Sequence, residues 1–314
     1  MRYLPALLVG RLVRIAVRLV RPGGGSALPG LVVSKLAPKL VYKTLNYFDQ
    51  GLVVVTGTAG KSTTTKMLVA IARAHGLDVF TNPSTANIEQ GFFSTIVRQA
   101  NLFGRVRGDI AILEMDEGHA AQVVEKVKPK TSVILNVFED QLDRFVDPAL
   151  VREKLLEVAK ATYGSLILNG DDQNCLLIAD ELKSDALFFG LSRDLQTSIG
   201  AGMTYAPTYQ DLLPRVETIC TAISLEEREL ELELHGSKAT VELPSRGVHF
   251  AMDALVALTA AKEILGDSFD LTLATQTLNS LPPVFSRGEI KEVNGEPCEF
   301  ILVQNPVSMQ LNID

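Results

Sequence analysis

Leu52-Val53-Val54-Val55-Thr56-Gly57-Thr58-Ala59-Gly60-Lys61-Ser62-Thr63 is a short β-branched run that breaks abruptly into glycine, lysine and hydroxyl side chains. The apolar part has the composition of a buried strand, and the helix-period segment Thr63 to His75, closed by Gly76, follows the loop. Strand, loop and helix in that order turn backbone N–H groups and a helix N-terminus toward one point, where phosphate oxygens can be received. Gly57 and Gly60 permit close approach, Lys61 can reach terminal phosphates, and Ser62 can offer its hydroxyl to Mg²⁺. The spacing is tighter than the strict G-x-x-x-x-G-K-[ST], because Val55 stands six positions before Lys61; the pattern here is T-G-T-x-G-K-S. Thr56, Gly57, Thr58, Ala59, Gly60, Lys61, Ser62 and Thr63 are therefore the expected phosphate cradle.

The same alternation continues outward. Asp78 to Thr81 is a strand, a polar loop runs through Asn87, and Phe92 to Leu102 is helical. Ile110 to Leu113, Val133 to Val137 and Leu166 to Leu168 are further apolar strands. Continuous apolar strands separated by helix-length segments imply an α/β fold of P-loop type, with a mostly parallel sheet and helices on both faces. From Thr204 to Val241 the texture becomes an acidic alternation with Leu230, Leu232 and Leu234, which predicts a small β-rich insertion of antiparallel strands. His249 to Leu265 is an Ala-rich helix, and Gly288 to Val293 and Glu299 to Val303 are strands joined through Asn294-Gly295.

A magnesium nucleotide needs hard oxygen ligands, and Glu114, Asp116 and Glu117 follow directly on the Ile110 to Leu113 strand. Ligands of such sheets bind beyond the carboxyl ends of strands, so Glu114 is the expected second Mg²⁺ ligand after Ser62. Solvated loop acids are the alternative, more so for Asp116 and Glu117. Asn136, Asp140, Gln141, Asp143 and Arg144 stand on the same rim. Asp140 or Asp143 could orient Mg²⁺ through water, position a carboxylate substrate, or simply cap a helix.

With 46% hydrophobic residues over 314 positions the chain can bury a sizeable core, and its net charge of -7 with scattered positives argues against nucleic acid as a partner. Cys175, Cys220 and Cys298 are far apart and form no metal-ligand pair, so no zinc site is expected, and a reducing cytoplasm fits them. Residues 1–21 form an amphipathic basic helix whose arginines interrupt each apolar run, too short to span a bilayer. It is expected to pack on the main domain, with contact to the inner face of the membrane as a further possibility. The expected divisions are 1–50 for this helix and its connection, 51–285 for the nucleotide domain with the β-rich part at 204–241, and 286–314 for the beginning of a truncated C-terminal domain.

T-G-T-A-G-K-S-T-T-T at 56–65, L-E-M-D-E at 113–117 and N-V-F-E-D-Q-L-D-R-F at 136–145 together resemble the Mur ligase superfamily. G-G-G-S-A-L-P-G at 23–30, F-S-R-G-E at 285–289 and Q-N-P at 304–306 are similar, more narrowly, to its branch of MurT-type subunits of lipid II isoglutaminyl synthases. The resemblance implies an ATP-dependent amidoligase. It would activate the α-carboxylate of D-glutamate in lipid II as an acyl phosphate, for amidation by ammonia from a glutaminase partner. It also implies nucleotide contacts from Asn136 and Arg287, catalytic roles for Lys61, Glu114 and Asp140, and Mg²⁺ on Ser62 and Glu114.

Departures from the family pattern set further expectations. Ala59 stands where the family has a loop asparagine, and His249-Phe250-Ala251-Met252-Asp253 replaces an H-N-x-x-N start that helps hold adenine. Members of the MurT branch carry a four-cysteine zinc ribbon, of which only Cys220 is present, and their C-terminal domain continues well beyond the Q-N-P element. Lys154 stands where other Mur ligases have a carbamylated lysine; a surface lysine paired with Glu153 or Glu157 is the alternative. A nucleotide-binding protein without complete catalysis, regulatory or scaffolding, and a Mur-type ligase for another carboxylate are the competing functions.

Overall fold

A computed structural model describes residues 3–20, 27–83, 89–101, 103–137, 148–183, 185–199, 214–282, 287–293 and 296–301. Three helices come first, α1 (Leu4–Val20), α2 (Leu28–Leu36) and α3 (Leu40–Leu45). The alternating part follows: β1 (Leu52–Thr56), α4 (Lys61–Ala74), β2 (Val79–Phe80), α5 (Glu89–Gln99), β3 (Ile110–Glu114), α6 (Glu117–Val124) and β4 (Thr131–Ile134). It continues through α7 (Pro148–Ala161), β5 (Ser165–Asn169), α8 (Gln173–Leu182), β6 (Leu187–Leu191) and α9 (Arg193–Ile199). Then come β7 (Cys220–Glu226), β8 (Glu229–Leu234), β9 (Ser237–Glu242), α10 (Val248–Leu265) and α11 (Leu271–Asn279). β10 (Arg287–Val293) and β11 (Glu296–Ile301) pair antiparallel in a separate two-stranded sheet.

The main sheet has nine strands in the order β2-β3-β1-β4-β5-β6-β7-β8-β9, parallel from β2 to β7 and antiparallel beyond. Chain order reverses around β1, which puts the loop after β1 at the switch point where such sheets bind ligands. Alternate side chains of each strand serve opposite faces. Val53, Val55, Ile110 and Ile112 pack with α4, α10 and α11, whereas Leu52, Val54, Ala111 and Leu113 pack with α1, α2, α3, α5 and α6. Helices thus cover both faces, which is why β1, β3 and β4 are buried at every position. Each buried valine, leucine or isoleucine among them contributes about 1.5–3 kcal/mol by leaving water.

Three sequence expectations shift. The strand expected at 133–137 is β4, which ends at Ile134, because the chain turns there to serve the loop after β1: Asn136 accepts from Thr58 and clamps Ala59. The antiparallel strands expected within 204–241 are not a separate hairpin but extend the main sheet, with β7 lying parallel to β6 and Leu230, Leu232 and Leu234 facing the core under α10. The strand expected at 299–303 begins at Glu296. β6 gave no sequence expectation at all.

Candidate nucleotide and metal site

The loop after β1 is built by backbone conformations that favour glycine. Gly57 has φ +124°, and a Cβ there would stand 3.0 Å from Asn136 N and O, so the loop lies directly on the chain leaving β4. Gly60 has φ +86° and is the N-cap of α4; a Cβ there would meet Asp253 Oδ1 at 2.4 Å. No side chain caps this helix, so its first-turn N–H groups face the loop's concavity with the positive end of the helix dipole behind them. The side chain of Asn136 grips the loop from the other side. Its Oδ1 accepts from Ala59 N at 2.8 Å, and its Nδ2 donates to Ala59 O at 3.2 Å.

Two carboxylates from the end of β3 complete the site. Val55 and Glu114 are register partners, so the end of β3 stands beside the start of the loop. Ser62 Oγ lies 3.0 and 2.9 Å from the two carboxylate oxygens of Glu114, which is 3% exposed. The Glu114 peptide is itself held by Asn82 beyond β2, which accepts from Glu114 N at 3.0 Å and donates to Glu114 O at 2.9 Å. Lys61 curls over the loop to donate to Gly57 O and, at 2.9 Å, to Thr58 O, and its ammonium lies 3.4 Å from Glu117 Oε1. Burial pushes the Glu117 carboxyl up, against the opposing pull of Lys61. Asp116 instead caps α6, accepting from Gly118 N at 3.2 Å, and its carboxyl is held low chiefly by its hydrogen bond to His119.

Beside Ser62 and Glu114 opens a cleft of about 400 Å³, lined by Thr65, Lys66 and Arg73 of α4, Thr81 and Asn82 beyond β2, and Leu281. The buried hydroxyls of Thr65 and Thr81 have no hydrogen-bond partner among the described residues. On the other side of α4, Thr64 Oγ1 donates to Asp253 Oδ1 at 2.8 Å, and Phe250 is 2% exposed in the core.

The structure thus brings Lys61, Ser62, Glu114 and Asn136 to one loop. Asp140, Gln141, Asp143 and Arg144 lie outside the described residues; Arg287 is described only as the first residue of β10. Lys154 sits on an exposed face of α7, 2.9 Å from Glu157. Cys175, Cys220 and Cys298 stand on α8, β7 and β11. In the sequence Glu117 reads foremost as a solvated acid, Asn82 is not singled out, and Asp253 stands only as a departure from the family's adenine-holding helix start. An asparagine directly after a strand was the available signal for Asn82; Asp253 reaches the loop only through the packing of α10 on α4.

The residues suit a magnesium nucleotide. Hydroxyl and carboxylate oxygens converge at Ser62 and Glu114, and an uncapped helix start faces a loop whose glycines leave no Cβ in the way.

Residues 55–261 match the family model of the Mur ligase middle domain. The subunit MurT of lipid II isoglutaminyl synthase (glutamine-hydrolyzing) of Streptococcus pneumoniae is 27% identical over 92% of this chain and 68% of its own length. Its counterpart of Staphylococcus aureus is 30% identical over 55% of this chain and 38% of its own length. Among solved structures, MurF ligase from Thermotoga maritima in complex with ADP gives a TM-score of 0.68 at 22% identity, over 90% of this chain and 60% of that one. A pseudomurein peptide ligase type C from Methanothermus fervidus gives 0.67 at 20% identity, over 86% and 58%. These two likenesses concern the fold, and the chain spans only about three fifths of either ligase. A middle-domain match running from the glycine loop to α10, on a sheet ordered around that loop, places this chain in the Mur ligase family.

Proposed function

We propose that the chain binds ATP at the loop from Thr56 to Thr63 and activates a carboxylate of a peptidoglycan precursor for amide formation. The similarity to two MurT subunits supports lipid II as the acceptor and a glutaminase subunit as the source of ammonia. A carboxylate is a poor electrophile. Its oxygen attacks the γ-phosphorus, ADP leaves, ammonia adds to the carbonyl carbon of the acyl phosphate, and inorganic phosphate departs with loss of a proton from nitrogen. Ser62 and Glu114 would hold Mg²⁺, which supplies charge neutralisation to the phosphates. Lys61 turns from Gly57 O and Thr58 O toward the transferred phosphoryl, with Glu117 close beside its ammonium. The cleft beside Glu114 would receive the acceptor, because the hydroxyls of Thr65 and Thr81 are donors suited to a carboxylate. Asp140 and Arg287 are proposed to line the same nucleotide on the grounds of the family resemblance.

The observation that carries this reading is the pairing of Ser62 with Glu114 at the end of the glycine loop. Its test is glutamine-dependent ATP hydrolysis by the chain mixed with a glutaminase subunit and a D-glutamate-containing lipid II. The expected result is phosphate release only when all components are present. A second reading is a chain that holds nucleotide without turnover; in either reading Phe250 and Asp253, engaged in the core and by Thr64, do not reproduce the family's adenine-holding start. ATP binding by calorimetry with no phosphate release in the complete mixture would establish that second reading over the first.

A further inference from the structure

The positive charge of this chain is concentrated at its start. Residues 1–48 contain eight lysines and arginines and no aspartate or glutamate, leaving all 37 acids to face 22 bases in the remainder. An acid-free head on an acidic body is a strong polarity for a protein of net charge -7.

α1 carries this charge beside an apolar stripe that nothing among the described residues covers. Its inner side is occupied: Ala6, Leu7 and Gly10 are buried, and Arg11 donates to Val97 O at 3.3 Å and to Ala100 O at the end of α5. Its outer side shows Leu8 at 45%, Leu12 at 66%, Ile15 at 57% and Leu19 at 79% exposure. Positions i, i+4, i+7 and i+11 fall on one line of a helix, so these four side chains form a single stripe. Scattered exposed leucines are ordinary, but four in a row on one helix are not. Arg18 borders the stripe, Arg14 lies one turn earlier on the side toward α5, and Arg14 is close enough to Arg18, Arg98 and Arg11 that their charges, after burial, lower its pKa. Crowding like charges is unfavourable unless an anion meets them. No helix among the described residues is long and apolar enough to cross a membrane, so the stripe has the shape of a surface contact.

We propose that α1 is a membrane-surface anchor, laying Leu8, Leu12, Ile15 and Leu19 into an anionic bilayer with Arg18 at headgroup level and Arg14 adding its charge from behind. The choice of lipid over protein rests on charge: a basic helix within an acid-free stretch of sequence matches a sheet of phosphates, and the long arginine stems can lie on the apolar boundary while their heads reach the phosphates. The inference does not rest on the ligase reading, since binding needs neither nucleotide nor acceptor.

Flotation of the full chain with vesicles tests it, using phosphatidylcholine alone and phosphatidylcholine with phosphatidylglycerol, at low and high salt. Binding is expected only with phosphatidylglycerol and is expected to weaken as salt rises. Arg14→Gln with Arg18→Gln should weaken it about 25-fold, at about five-fold per arginine. Leu12→Asp with Leu19→Asp should abolish it while the thermal midpoint stays unchanged, because both side chains are already in water. Absence of binding, equal binding to neutral vesicles, or indifference to both pairs of substitutions would overturn the proposal. A dimer in light scattering that disappears in the Leu12→Asp variant would assign the stripe to a second copy of the chain and overturn it equally.

Discussion

The parallel half of the sheet and its antiparallel edge use the same kind of residue to different ends. β1, β3 and β4 are buried along their whole length, whereas β8 alternates, with Leu230, Leu232 and Leu234 inward and Glu229 and Glu231 outward. Parallel strands require a crossover after each one, so every chain exit lies at the same end of the sheet and helix N-termini gather there. That rim carries Gly57, Lys61, Ser62, Glu114 and Asn136. β8 and β9 instead join through His235-Gly236, a two-residue turn with positive φ at both positions, which returns the chain at once and builds no such rim. The lesson is that connection type decides where chemistry can sit, while both halves supply core.

The comparison can be broken most directly at the rim. Lys61→Ala should lower ATP hydrolysis about 10²–10³-fold with an unchanged unfolding midpoint, since it removes a charge from a loop rather than volume from the core. Hydrolysis assays beside thermal melts decide this, and retained hydrolysis would move the site elsewhere. At the edge the signs reverse. Leu232→Ala should cost about 3 kcal/mol in denaturant unfolding while leaving the KM for ATP of the folded protein unaltered.

A smaller effect sharpens the role of the loop's clamp. Asn136→Ala removes two hydrogen bonds to Ala59, each worth about 1 kcal/mol, and should raise the KM for ATP roughly ten-fold with little change in kcat. Equal losses in kcat and kcat/KM would instead mean that Asn136 touches the transferred group.

The smallest predicted signal is a pH slope at Asp172, which caps α8 and holds Val137 N at 2.8 Å just beyond the rim. Burial pushes its carboxyl up from 3.8 to about 6, so the folded state holds its proton more tightly than the unfolded one. Stability from this group is therefore greatest below about pH 4 and falls as pH rises through 6. Between about pH 5 and 7 the wild type should lose about 1 kcal/mol relative to Asp172→Asn in parallel urea titrations. A constant difference across that range would show that the buried carboxyl keeps an ordinary affinity for its proton.

Much of the rim is legible in the sequence because it is local: a β-branched run, two glycines, a lysine and a serine lie within eleven residues, and Glu114 ends the next apolar run. The contacts of Asn82 and Asp253 were not legible, because each acts 32 or more positions away from its partner, on Glu114 and on Thr64. Glu117 was misweighted for a related reason. An acid after a strand looks solvated until the packing of α6 buries it against Lys61.

Periodicity and composition were enough to establish strand-loop-helix order, two covered sheet faces and a glycine loop between β1 and α4, since these depend on neighbours along the chain. Strand order, the joining of β7–β9 to the main sheet, the grip of Asn136 on Ala59 and the pairing of Glu117 with Lys61 required the folded chain. They depend on contacts between distant segments, and burial of a polar group is a property of what lies against it, which no single stretch of residues contains.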